Sequence, residues 1–317
     1  MVNQPYTIDA GADLAKLIPL EDHMLVKVFD REKTSGGILL PKNEATPCRV
    51  GKIIAKGKEI TNSYNGKGFP IEVEPGDYIM FMDYAGIKVK ADREDYKLLR
   101  EHGIWAKVEL SVSGDIIDFE TIKPWADRVV LERIDETMTK SKLLHLPPSE
   151  MKFQWNIGTV KWSGRGMWHL ESGRLIPNEC QPGDRVIFRR FTGADIMVRG
   201  KEYRITQELD IIAAIAGSGD GERLRPMRNR VVIEREQALG KSAGGIVIPG
   251  AHQQKQTRGT VRALGPGKLA MDGSDRPWEL ALGDKVLFVE KELTDVVHNG
   301  RQYVVAESEN ILGVMLD

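Results

Sequence analysis

The chain has 317 residues, 41% of them hydrophobic, with 45 Lys and Arg against 46 Asp and Glu for a net charge of −1. That length predicts two or three domains of ordinary size, and the balanced charge argues against nucleic acid or an anionic membrane as partner. No apolar run is long enough to span a bilayer, the N-terminus lacks the pattern of a secretory leader, and the two cysteines, Cys48 and Cys180, lack CxxC spacing, so a reducing, cytoplasmic setting is expected.

In chain order, residues 1–16 hold no sustained period and read as an N-terminal arm or a short helix ending near Lys16. A first module is expected over residues 17–110. It opens with IPLEDHMLVKV (18–28), passes through SGGILLP (35–41) to VGKIIAKG (50–57), and reaches EPGDYIMF (74–81), where Pro75-Gly76-Asp77 signals a turn feeding a strand. Between them, SYNGKGF (63–69) has glycines that suit a hairpin tip and equally a plain surface loop. Residues 111–121 form a linker with breakers at Gly114 and Asp115 but buriable side chains at Ile116, Ile117 and Phe119.

A second module, over 122–216, carries IKPWADRVVLER (122–133), SKLLHLP (141–147), IGTVKWSG (157–164) and QPGDRVIF (181–188). A short linker at 217–222, GSGDGE, leads to a third module over 223–317 with LRPMRNRVVIER (224–235), AGGIVIP (243–249), RGTVRALG (258–265) and ALGDKVLF (281–288). Asp22, Asp127 and Asn229 precede the three opening strands at spacings of 105 and 102 residues. The same features recur in the same order three times, which marks three copies of one structural unit.

The parts have separate physical meanings. Val231, Val232 and Ile233 make a β-branched run suited to a half-buried strand. The stretch after it is polar or small and ends in Gly244-Gly245, after which an apolar tripeptide stands before a proline. Such a tripeptide is either folded back onto a core or kept for a partner. Trp162, Met167 and Trp168 read as an aromatic patch or, in a small barrel, as residues completing the core. The six histidines form no metal-ligand spacing, and the glycine pairs Gly164/Gly166 and Gly265/Gly267 lack the strand-to-helix setting of a phosphate loop. No catalytic constellation is visible, and no metal site or cofactor is expected.

These residues resemble the GroES-type co-chaperonins. The resemblance is strongest in the third module, from the NRVVI opening through KSAGGIVI, RGTVRALG and GDKVLF to YVVAESENILGVM (303–315), and the other two modules share its skeleton with drift. It implies an all-β chain of three tandem small irregular antiparallel β-barrels, and a non-catalytic lid whose loops dock on a GroEL-type chaperonin ring that itself binds ATP and encloses unfolded client proteins. Transferred onto this sequence, the partner-binding residues are Gly36, Gly37, Ile38, Leu39 and Leu40; Leu144, His145 and Leu146; and Gly244, Gly245, Ile246, Val247 and Ile248. The second loop departs from the pattern, with Lys142-Leu143 in place of Gly-Gly and a histidine amid its leucines.

Alcohol dehydrogenases also contain a GroES-like domain, but three modules leave no sequence for their nucleotide-binding half. The remaining alternative is a structural assembly protein, such as a virion component, using the same barrels as building blocks. In the family, the first strand of one subunit pairs with the last strand of its neighbour. Short linkers then predict modules side by side in an arc whose two outer edges pair with other copies. The expected homo-oligomer is a closed ring, of six modules from a dimer in preference to nine from a trimer, unless one module per chain enters a sevenfold ring.

Overall fold

The computed structural model describes residues 7–9, 14, 16–29, 48–62, 66–91, 94–109, 122–134, 155–198, 201–217, 221–236, 257–291, 293–298 and 301–316. Within them the chain is almost entirely β-structure. The first module contributes β1 (Thr7–Asp9), β2 (His23–Val28), β3 (Cys48–Lys56), β4 (Glu59–Thr61), β5 (Gly68–Pro70), β6 (Tyr78–Met82), β7 (Ile87–Ala91), β8 (Glu94–Arg100) and β9 (Ile104–Val108). The second contributes β10 (Lys123–Pro124), β11 (Arg128–Arg133), β12 (Trp155–Ser163), β13 (Met167–His169), β14 (Arg174–Ile176), β15 (Arg185–Arg189), β16 (Ala194–Val198), β17 (Lys201–Gln207) and β18 (Ile211–Ala216). The third contributes β19 (Arg223–Pro226), β20 (Arg230–Arg235), β21 (Arg258–Leu264), β22 (Lys285–Phe288), β23 (Thr294–His298), β24 (Arg301–Glu307) and β25 (Ile311–Met315).

The three main sheets share one strand order. They run β1-β7-β8-β2-β3-β6-β9-β10, then β16-β17-β11-β12-β15-β18-β19, then β23-β24-β20-β21-β22-β25. All pairings between named strands are antiparallel except β1 against β7, where Ile8 lies opposite Val89 in parallel. The arm therefore contributes a strand, with no counterpart in the other two sheets among the described residues. The ladders also share their irregularities: a register shift falls between Leu25 and Val26, Val130 and Leu131, and Val232 and Ile233. Such bulges bend a strand and increase its twist, so one curvature is imposed three times.

Two repeated glycines have steric causes. At Gly51 a Cβ would stand 2.5 Å from Val26 Cγ1, and at Gly259 it would stand 2.5 Å from the Glu234 carbonyl oxygen, because the opening strand crosses closely there. At the turn before β6, β15 and β22, Gly76, Gly183 and Gly283 take φ of 103°, 97° and 96°, a region closed to most side chains. Beyond that turn Phe81, Phe188 and Phe288 are fully buried and belong to three separate apolar cores. Burial of such a side chain contributes about 1.5–3 kcal/mol.

Besides the main sheets, β4 pairs with β5 and β13 with β14 as small hairpins, and Leu269 bridges Asp275 at the corresponding place in the third module. The 63–69 stretch thus enters a hairpin through β5, while residues 63–65 lie outside the described residues. So do residues 110–121, which include the whole of the first linker.

Candidate interaction surfaces

The first strand of each later module belongs to the sheet of the module before it. Pro124 of β10 lies opposite Ala106 of β9, and Pro226 of β19 lies opposite Ala213 of β18, in matching register. Edge strands left open invite further pairing, and here the next repeat of the same chain covers them. Proline suits this position because it ends a strand of only two to four residues at the rim of its sheet.

Behind each ladder an apolar cluster crosses the joint. In the first joint Met80, Trp105 and Val108 meet Ile122, Val130, Ile196, Tyr203 and Ile205. In the second, Ile187, Ile212 and Ile215 meet Leu224, Val232, Val296 and Val305. The hydrophobic patterning of β11 and β20 serves two interiors, one strand face filling its own module and the other filling the joint. Trp162 packs against the first of these clusters, with its ring 6.1 Å from that of Tyr203. Trp168 stands 5.7 Å from Phe69 of the preceding hairpin, so both tryptophans serve the joint, while Met167 is exposed.

One residue per joint reaches further. Trp125 lies in the core of the first module, among Met24, Val73 and Ile104. Met227, its counterpart, lies in the core of the second, against Cys180, Ile211 and Ala214. Each follows the paired proline and precedes a residue in the left-handed region, Ala126 at φ 48° and Arg228 at φ 54°. That tight turn swings the plug into the core of the neighbouring module.

Polar contacts surround the plugs. Trp125 Nε1 donates to Glu101 Oε1 at 2.6 Å, and Arg165 pairs with Glu72 at 2.9 Å. In the second joint the equivalent carboxylates, Glu179 and Glu208, are met by Arg228 at 3.1 and 2.5 Å. Burial pushes the carboxyls of Glu101 and Glu179 above the usual carboxylate range, against the lowering effect of the Trp125 hydrogen bond on one and of Arg228 on the other. Burial likewise raises the Cys180 thiol, making it a packed apolar group rather than a nucleophile. Arg128 donates to the His102 carbonyl at 3.0 Å, and Arg230 donates to those of Leu209 and Ile211, both at 2.7 Å.

The loops singled out in the sequence all leave from one place. Phe29 N donates to Val50 O, Ile134 N to Ile157 O, and Glu236 N to Arg258 O, each at 3.0 Å. These three bonds close the stems between β2 and β3, β11 and β12, and β20 and β21. The transferred loop residues themselves, 36–40, 144–146 and 244–248, lie outside the described residues. The joint residues Trp125, Met227, Glu101 and Arg228 were not among the transferred sites. Their signal was the large apolar residue, Leu20, Trp125 or Met227, that stands two positions before Asp22, Asp127 and Asn229 in every copy. Among the described residues no cluster of His, Cys, Asp and Glu could hold a metal ion, and no helix is long and apolar enough to cross a membrane.

A repeated β-module that hands its first strand to the module before it, and carries a long stemmed loop on each copy, defines a tandem member of the co-chaperonin class. The family model described as the chaperonin 10 kDa subunit matches residues 16–108, 121–215 and 223–315, and the chain belongs to that family. It is 27% identical over 199 residues to the chloroplastic 20 kDa chaperonin of Spinacia oleracea, covering 62% of this chain and 76% of that protein. It is 40% identical over 92 residues to the co-chaperonin GroES of Neisseria meningitidis serogroup B, covering 29% of this chain and 96% of that protein. The GroES of Aliivibrio salmonicida matches at 36% over 92 residues, 29% of this chain and 97% of that protein.

Proposed function

We propose that this chain is a co-chaperonin that caps a GroEL-type chaperonin ring through its loops, acting in the cytoplasm and without catalysis or a cofactor of its own. ATP is bound and turned over by the ring, and client proteins are enclosed rather than bound by the lid. The loop residues Ile38 to Leu40 and Ile246 to Ile248 make the main contacts, and Leu144 and Leu146 make lesser ones. Several weak loops on one rigid body bind by avidity. The observation that carries this reading is the repetition of one stem three times on a body whose modules are locked by shared strands and shared cores. Locked modules hold the loops at set spacings, which is what multivalent docking on a ring requires. Membership of the chaperonin 10 kDa family favours this reading over a purely structural assembly. The same strand exchange, continued between chains, closes a head-to-tail ring.

The test is a pull-down of this chain with a purified GroEL-type chaperonin and nucleotide, imaged by electron microscopy. Capped particles that depend on nucleotide are expected. A chaperonin that stays uncapped at saturating concentrations of both proteins would overturn the reading.

A further inference from the structure

The first module has no module before it, yet the face it would turn to one is closed. That face includes Leu25 of β2 and Val89 of β7, whose counterparts are Val130 and Ile196 in the second module and Val232 and Val296 in the third. Those four are buried where the preceding module packs on them, through Met80 and Trp105 in the first joint and Ile187 and Ile212 in the second. Leu25 is 0% and Val89 5% exposed without any such neighbour. The other end of the chain shows how joint residues stand when nothing covers them. Leu312 and Met315 of β25, the counterparts of Ile212 and Ile215, are 61% and 38% exposed.

What the first module has and the other two lack, among the described residues, is the arm. Thr7–Asp9 add β1 to the outer edge of β7 in parallel, and a turn in which Leu17 N donates to Leu14 O at 3.1 Å stands between β1 and β2. The matching edges, β16 and β23, carry no further strand among the described residues. The choice of edge follows from charge at the register positions. Opposite Thr7 and Asp9, β7 places Lys88 and Lys90, where β16 has Asp195 and Met197 and β23 has Asp295 and Val297. A strand with an acid at position 9 is matched to the first edge alone.

We propose that the arm is an autoinhibitory strap. While Thr7–Asp9 hold β7, the face of Leu25 and Val89 is closed to a second copy of this chain, and association through that face requires the arm to leave. The proposal rests on the head-to-tail ring proposed above and concerns when that ring can form. A strap has to open without unfolding what it covers. Three residues in parallel pairing, at the rim of a sheet and near a chain end, form one of its weakest units and detach while the strands behind them stay paired. The chain then divides between a strapped and an open state, and its apparent affinity for a second copy falls with the open fraction.

The experiment is native mass spectrometry of the full chain over a range of concentrations, with hydrogen exchange measured where the chains are single. Ile8→Pro with Asp9→Pro removes the amide that β1 offers to β7, whichever of the two residues donates it. Asp9→Lys instead sets like charges opposite each other at Lys90. Both variants are expected to lose protection at residues 87–91, to keep it in β20 and β24, and to associate about tenfold more tightly than the wild type. Variants that free β7 and associate no better than the wild type would overturn the strap and leave the ring standing. Weaker association would do the same, since the arm would then belong to the joint. Unchanged protection at residues 87–91 would show that β1 does not hold that edge, and would also overturn the strap. If all three proteins stay single with β7 freed in the variants, the ring and the strap fall together.

Discussion

Trp125 Nε1 reaches across the first joint to Glu101 Oε1 at 2.6 Å, a side chain of the second module bonding a half-buried carboxyl of the first. Burial raises the pKa of that carboxyl, so the folded state holds its proton to higher pH than the unfolded chain does. The stabilisation it contributes is full below the usual carboxylate range and is lost as pH rises through the folded value. Glu101→Gln keeps an acceptor for Trp125 and removes the titration. On going from pH 7 to pH 4.5 the wild type is therefore expected to gain melting temperature relative to Glu101→Gln. A difference between the two proteins that is independent of pH would show that this carboxyl is not buried at the joint.

Met227 belongs to the third module by sequence and to the core of the second by contact. Met227→Ala is expected to cost about 2–5 kcal/mol, the usual range for emptying a core position. The second module should register the loss, because the void opens beside Cys180, which has no exposure in the intact chain. Thiol titration in the native state should show Cys180 reacting faster while Cys48, in the first module, is unchanged.

Loop contacts should be separable from folding. Ile38→Asp with Ile246→Asp is expected to abolish chaperonin capture, each aliphatic side chain contributing about 1.5–3 kcal/mol less the cost of ordering its loop. The melting temperature should stay within about a degree. Polar replacement of Leu144 and Leu146 should weaken capture less than the change at Ile246. Capture lost mainly through the second loop would refute the transfer of roles by alignment.

Lys97 is buried beneath the turn after β6, donating to the carbonyls of Asp83 and Ala85. Burial lowers its pKa to about 8, against the raising effect of Asp83. The unfolded chain holds this proton to about pH 10.4, so stability should rise with pH between those values. Arg204 occupies the same place in the second module, donating to the carbonyls of Arg190 and Thr192 at 2.8 Å. Lys97→Arg should keep the clamp and lose the titration, so the wild type should gain on it between pH 7.5 and 9.5 in paired melting curves.

The repeat, the all-β class and the family were legible in the sequence because they depend on local chemistry. Gly51 and Gly259 stand where a strand passes too closely for a Cβ, Gly158 stands where a Cβ would be tight at 3.0 Å, and Gly76, Gly183 and Gly283 stand where φ is positive, so those letters recur whatever else drifts. The side-by-side order of modules followed from linker length, and the pairing of Pro124 with Ala106 and of Pro226 with Ala213 agrees with it. The contribution of residues 7–9 as a parallel strand was not legible, because three residues carry no period and their partner lies some eighty positions away.

What the sequence determined by itself is the unit: four short motifs in fixed order, three of them tied to a turn, a close strand crossing or a core phenylalanine that a few adjacent residues can specify. What only the tertiary structure decided is which module a side chain serves. Leu20, Trp125 and Met227 look alike in sequence, each a large apolar residue before a tight turn, yet two are buried in a neighbouring core and one is exposed. Their environment comes from residues about a hundred positions apart, on strands that meet only when one sheet closes on the next, and burial is a property of that meeting rather than of the residue.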